Sequence, residues 1–309
     1  MHRNFPTILL LLILLISSCS EETHSQQLMN DLKELSSDKY EGRKSGSAGN
    51  RNAAAYIIKR FEQIGLKSYN NNWKQAFDLR NEKVSGENLF GYIPGKLDEI
   101  IVISAHYDHL GKVGGKVYNG ADDNASGVAG LLSIASYFKR NPPGYTLLFV
   151  CFDAEEKSLQ GSKAFVAKPP VPLEKIVLNI NLDMISRADK NDLYACGTYH
   201  YPQFKNYLPK GKGNIKLRLG HDNPKQGKDD WTSQSDHFAF HEKKIPFIYF
   251  GVEDHKDYHK PTDDFERIKP ATFSNVVELI TQAISEIDKA MSIRKAFRDK
   301  LIMGGENQK

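Results

Sequence analysis

Five separated stretches carry side chains able to hold a hard or borderline cation. They are Ala105-His106-Tyr107-Asp108, Gly120-Ala121-Asp122-Asp123-Asn124-Ala125-Ser126-Gly127, Asp153-Ala154-Glu155-Glu156, Asn181-Leu182-Asp183-Met184 and Tyr258-His259-Lys260-Pro261-Thr262-Asp263. Each offers His or carboxylate and none offers Cys. That donor set suits zinc held for hydrolysis rather than a closed structural zinc site, and together the five stretches supply what a two-metal centre needs.

Apolar patterning indicates the elements that must position these groups. Ile100–Ser104, Thr146–Phe152, Ile176–Asn181 and Ile245–Phe250 are β-branched and aromatic runs with little alternation. Such runs are typical of strands covered on both faces, as in a mostly parallel sheet. Helices are expected over Gly49–Ile64, with Gly65 as a C-terminal stop, over Gly127–Arg140, ended by Pro142-Pro143-Gly144, and over Ala271–Met291. The alternation predicts an α/β three-layer sandwich, a mostly parallel central sheet flanked by helices. His106 and Asp108 then follow the first strand, Glu155 and Glu156 the second, and Asp183 ends the third. Ligand sites of open α/β sheets lie at the carboxyl ends of strands, so three of the five stretches share one rim. Arg187 to Asp236 is the least readable region.

The order and residue types of the five stretches resemble the dinuclear zinc aminopeptidase family of clan MH. Its relatives include glutamate carboxypeptidases and single-zinc glutaminyl cyclases. Leu35-Ser36-Ser37-Asp38, Glu41-Gly42-Arg43 and Gly46-Ser47 resemble the family's N-terminal signature. The likeness continues through Asn88 to Gly95 and Ser235-Asp236-His237, covering roughly Leu28 to Met291. It implies a zinc exopeptidase-like fold and two zinc ions, with Asp123 rather than Asp122 bridging them. By the same carry-over, Asp123, His106 and Asp183 hold one ion, and Asp123, Glu156 and His259 hold the other. The three carboxylates and one bridging hydroxide would balance the four charges of two zinc ions. Zinc lowers the pKa of bound water to about 7.

The resemblance assigns the remaining roles as well. Glu155 is implied as the general base, which requires a carboxylate within hydrogen-bond reach of the water. Asp108 is implied to orient His106, because a metal-binding imidazole commonly donates its other N–H to a carboxylate. Asp236 is a further supporting candidate. Tyr258 is implied as a donor to the developing oxyanion. No role is matched for His109, which with His237 is expected at most to line the pocket.

These roles imply a metallo-aminopeptidase that hydrolyses N-terminal residues from peptide substrates. Carboxypeptidase or dipeptidase specificity is the alternative on the same chemistry. A glutaminyl cyclase or a non-catalytic binding domain fits less well, because the short Glu156-Lys157-Ser158-Leu159-Gln160-Gly161-Ser162 stretch is peptidase-like and every ligand and the base are present.

The chain has 309 residues and a formal charge of +4. Its basic residues are dispersed apart from Lys205–Lys228 and the C-terminal end, and no reader motif accompanies them, which argues against nucleic-acid binding. Met1-His2-Arg3 followed by the apolar run Ile8–Ile16 reads as a signal peptide, too short to span a bilayer stably. Ile16-Ser17-Ser18-Cys19 resembles a bacterial lipoprotein cleavage box, which implies lipidation at Cys19 and an exported protein anchored to a membrane. The expected organisation is a signal peptide over 1–19, a tether over 20–27, a catalytic domain over 28–292 and a polar basic tail over 293–309. Cys151 and Cys196 are expected as buried free thiols, although export would permit a disulfide.

Overall fold

The computed structural model describes residues 25–80 and 83–290. The signal sequence with Cys19 and the tail over 293–309 lie outside the described residues. Of the stretch 20–27 expected as a tether, residues 20–24 lie outside the described residues and residues 25–27 lie in a helix over 25–35 (α1). Leu28, Met29, Leu32 and Leu35 form its buried stripe, and that apolar burial draws the preceding polar residues into the first turn.

A short turn over Asp38–Arg43 leads to α2 (Ala48–Ile64). The side chain of Ser47 accepts the Asn50 N–H at the start of α2, and Gly65 closes it at φ 79°, a left-handed conformation that glycine adopts without steric cost. Then come β1 (Lys74–Asp78), β2 (Ser85–Ile93), β3 (Ile100–His106) and the hairpin β4 (Gly111–Val113) and β5 (Lys116–Tyr118). A wide turn over Ala121–Ser126 enters α3 (Gly127–Arg140). There follow β6 (Thr146–Phe152), α4 (Gln160–Ala167), β7 (Ile176–Leu182), β8 (Asp192–Cys196), β9 (Gly211–Lys212) and β10 (Ile215–Leu219). The last elements are α5 (His237–Glu242), β11 (Phe247–Gly251) and α6 (Pro270–Lys289). Pro270 opens α6 at a position where no backbone donor is needed.

Nine strands form one sheet in the order β1-β2-β6-β3-β7-β11-β8-β10-β9. Its centre, β6-β3-β7-β11, is parallel, as is the β8–β10 pair. The remaining pairings, towards the margins, are antiparallel. β3 and β7 are buried at every residue, which is why they read as continuous apolar runs. Successive side chains point to opposite faces. Ile101, Ile103 and Ala105 of β3 pack with α1, α2, α3 and α6, whereas Ile100 and Val102 pack with Phe165 of α4 and Phe240 of α5. The layers are therefore helix, sheet, helix.

The fourth strand begins at Phe247 rather than Ile245. Pro246 has no N–H to give, and the Ile245 N–H is spent on the Phe240 carbonyl at the end of α5. The unreadable region from Arg187 to Asp236 holds β8, β9, β10 and two short helical turns. Cys151 and Cys196 are buried and free, on β6 and β8.

Candidate metal centre

The carboxyl ends of the central strands carry the candidate ligands. β3 ends in His106, the turn after β6 carries Glu155 and Glu156, and Asp183 follows β7. The segment after β11 brings in Tyr258 and His259, and the turn before α3 presents Asp123. Ala154, Met184 and His259, each in or next to a ligand segment, have positive φ of 57°, 56° and 53°. Non-glycine residues rarely adopt this conformation, and it persists only where the surroundings impose it.

Two groups of donor atoms converge here, His106, Asp123 and Asp183 in one, and His109, Asp123, Glu156 and His259 in the other. Asp123 divides its oxygens between them. Its Oδ1 lies 3.3 Å from His106 Nε2, and its Oδ2 lies 3.0 Å from His259 Nε2. Asp183 Oδ1 is 3.3 Å from His106 Nε2, and Glu156 Oε1 is 3.3 Å from His259 Nε2. Donors held about 2.0–2.2 Å from a tetrahedral zinc ion lie about 3.3–3.6 Å from one another. The residues present therefore fit two such ions sharing one carboxylate in donor chemistry, and the three 3.3 Å separations match the spacing, while Asp123 and His259 stand slightly closer.

His109 is the member that the motifs did not supply. Its Nδ1 is 2.8 Å from Glu156 Oε1 and 3.7 Å from Asp123 Oδ2. The available signal was its place three residues after His106, on a segment already carrying donors.

Each ligand is held by neighbours. His106 Nδ1 faces the main-chain oxygen of Asp108 at 3.2 Å, while the Asp108 carboxylate is farther, at 3.6 Å. A proton on Nδ1 leaves Nε2 free as a donor to the cluster. The Asp108 carboxylate instead accepts the N–H groups of Glu155 and Glu156 and the Ser45 hydroxyl. It thereby ties the acidic pair to β3. Asp122 turns away from the cluster and accepts the Ser186 N–H and hydroxyl, both at 2.7 Å, with His255 Nε2 at 3.1 Å. Asp263 accepts the N–H groups of both Asp122 and Asp123, and Asn124 links the turn to Leu182 and Met184 at the end of β7. Of Ser235 and Asp236, the serine reaches the cluster, donating to Asp183 Oδ2 at 2.7 Å. Asp236 is fully buried at the start of α5, and burial lifts its carboxyl to about 7.

The charges sort in a consistent way. Burial opposes ionisation of Asp123 and Glu156, but the facing histidines overcome it and hold both low, Glu156 at about 2. Burial also opposes a charge on His259, yet Asp123 and Glu156 raise it to about 10. His106 and His259 thus carry positive charge that a cation would displace, and metal binding would release those protons. Glu155 differs. Burial lifts its carboxyl well above the usual range, with Asp183 adding to the rise and His106 opposing it.

Glu155 and Tyr258 both line the small cavity over the clusters, about 60 Å³ in volume, together with Trp231 and Tyr249. Tyr258 stacks on His259 with ring centroids 4.0 Å apart. Burial and the nearby Asp123 and Asp183 keep its phenol protonated, so it has a proton to donate.

Comparison with known proteins follows the same direction. Residues 88–284 match Peptidase family M28. Aminopeptidase YwaD of Bacillus subtilis is 28% identical over 217 residues, covering 67% of this chain and 45% of that protein. The chain spans about half or less of the length of the first curated relatives it matches. Among solved structures, the fold is similar to BSAP, a zinc aminopeptidase from Bacillus subtilis, with a TM-score of 0.68 and 18% identity, over 87% of this chain and 96% of that one. It is also similar to the glutaminyl cyclase of Bacteroides thetaiotaomicron, with a TM-score of 0.66 and 18% identity, over 84% and 97%.

Proposed function

The chain belongs to peptidase family M28, and we propose that it is a zinc aminopeptidase that removes N-terminal residues from peptides. The observation that carries this reading is the pair of donor clusters sharing Asp123, with Glu155 beside them and not part of either. His106, Asp123 and Asp183 would hold one zinc ion, and Asp123, Glu156, His259 and His109 the other. When bound, zinc supplies a Lewis acid for the scissile carbonyl and brings the pKa of water to about 7.

The chain's own groups account for the proton traffic. Glu155 accepts the proton of the attacking water and returns it to the nitrogen of the leaving amine. Its place in the cavity over the clusters, outside both donor sets, leaves the carboxylate free for that work. Tyr258 donates its phenol hydrogen to the oxygen that becomes negative at the scissile carbon. Met184, Trp231, Tyr249 and Val252 supply the apolar part of the cavity wall.

The test is hydrolysis of free and N-blocked peptides by the protein lacking residues 1–19, beside Glu155→Ala, with zinc measured on both. Cleavage of free N-termini alone is expected, and it should fall about 10²–10⁴-fold in Glu155→Ala at unchanged zinc content. Cleavage from the carboxyl end, or cyclisation of N-terminal glutamine, would overturn the reading.

Export and lipid anchoring at Cys19 are part of the same proposal and rest on the sequence alone. Cys19→Ser should release the protein from the membrane fraction. Membrane retention of that variant would refute the anchor.

A further inference from the structure

Tyr258 and His259 ride on one segment, Val252 to Asp263, which leaves the sheet after β11. His259 is the most exposed of the candidate ligands, its side chain 38% accessible, and its φ of 53° needs support from outside. Two side chains tie the segment to the turn that carries Asp123. At one end, Asp263 accepts the N–H groups of Asp122 and Asp123. At the other, four residues before His259, His255 places Nε2 3.1 Å from Asp122 Oδ2. The His255 side chain is 9% exposed and that of Asp122 is fully buried.

Neighbours fix the tautomer of this ring. Asp257 donates its N–H to His255 Nδ1 at 3.2 Å, and a ring nitrogen that accepts carries no proton. Nε2 is therefore the donor and the Asp122 carboxylate the acceptor. The other Asp122 oxygen accepts the N–H and hydroxyl of Ser186, three residues after Asp183. Arg187, the next residue, holds Asp257 at 3.1 Å. One buried carboxylate thus joins the segments of three ligands, Asp123, Asp183 and His259, and His255 is its link to the third.

We propose that His255 is a positioning residue for the donor group of His109, Asp123, Glu156 and His259. By holding Asp122 it sets where His259 and Tyr258 stand relative to Asp123. The role rests on the zinc peptidase reading above.

The amide nitrogen of a glutamine falls near Nε2 of the ring it replaces, and the amide oxygen of an asparagine falls near Nδ1. His255→Gln therefore keeps the bond to Asp122, whereas His255→Asn keeps only the bond from Asp257. Competition with a chelator would measure retention of each zinc ion, leucyl peptides would give kcat and KM, and urea unfolding would give the stability of the chelated protein. In His255→Asn one of the two ions should be held about 10- to 100-fold more weakly. The zinc-saturated variant should show kcat about tenfold lower with KM within about twofold. His255→Gln should stay within about threefold of the unchanged protein on every measure. Equal behaviour of the two variants, or the reverse order, would overturn the proposal. So would equal loosening of both ions in step with lost stability, which is what a support of the fold alone predicts. If the unchanged protein holds two ions and cleaves no peptide, the peptidase reading fails, and the chelator competition still decides the role of His255. Fewer than two ions in the unchanged protein would overturn both.

Discussion

Replacing Arg43 by methionine should cost about 4 kcal/mol of stability, enough to bring an ordinary domain close to its unfolding threshold. The Arg43 side chain is 1% exposed and its partners are main-chain carbonyls. Nε donates to Tyr107 at 2.8 Å, Nη1 to Leu35 at 2.7 Å and to Asn119 at 2.6 Å, and Nη2 to Gly120 at 3.0 Å. One guanidinium therefore fastens α1, the end of β3 and the approach to the Asp123 turn. Burial lowers its pKa to about 10, against the pull of Asp123 and Asp108, so it stays charged at neutral pH. A hydrogen bond to a charged donor contributes about 1.5–3 kcal/mol net, which puts four such bonds at roughly 6–12 kcal/mol. Four bonds from one guanidinium are not additive, and the apolar methionine recovers part of the loss. About 4 kcal/mol remains. Arg43→Lys keeps the charge but cannot span four acceptors from one plane, so it should lose roughly half as much. Urea unfolding of the chelated protein, followed by tryptophan fluorescence and far-ultraviolet dichroism, measures both. A loss below about 1.5 kcal/mol for Arg43→Met, or a greater loss for Arg43→Lys, would refute the reasoning.

Asp123→Ala should abolish binding of both ions, whereas Asp183→Ala should spare the second cluster; atomic emission on dialysed protein reads the difference, and equal losses would contradict the shared carboxylate. His109→Ala should weaken metal retention about 10- to 100-fold, measured by competition with a chelator; an unchanged affinity would reduce His109 to packing. His237 links stability to pH, because burial holds its pKa at about 3, below the unfolded value of about 6.5. Its neutral form is favoured by folding, so its contribution is complete above about pH 6.5 and declines as pH falls towards 3, by about 1.4 kcal/mol per unit. His237→Asn should therefore show a shallower loss of stability between pH 6 and 4.5, and parallel curves would sink the assignment.

The sheet's centre was legible because burial on both faces leaves β3, β6 and β7 mostly apolar, with the buried Ser104, Asn179 and Asn181 bonded to one another, and α3 because Pro142 and Pro143 mark its end. The antiparallel margins were not. β10 alternates weakly and is largely exposed, and the stretch around it is shaped by distant contacts. Asp222 accepts the N–H groups of Gly197 and Tyr199, and Trp231 stacks on His221 with centroids 3.8 Å apart. No local pattern announces such pairings. In the centre, the residues that follow strand ends could be named from position alone. Supports such as Asp263, Asn124 and Ser235 could not, because their work is to accept or donate single bonds across the fold. Asp108 illustrates the limit. Its place beside His106 could be read in the sequence, but which of its oxygens serves the ring could not.

His106 and His259 stand far apart in the chain, with Asp123, Glu156 and Asp183 between them. A nascent polypeptide cannot assemble the second cluster until most of the sequence has been synthesised, and an extended chain holds neither. On the proposed peptidase reading, the order of the donors would couple activity to completion of the fold: no centre exists until the sheet has closed.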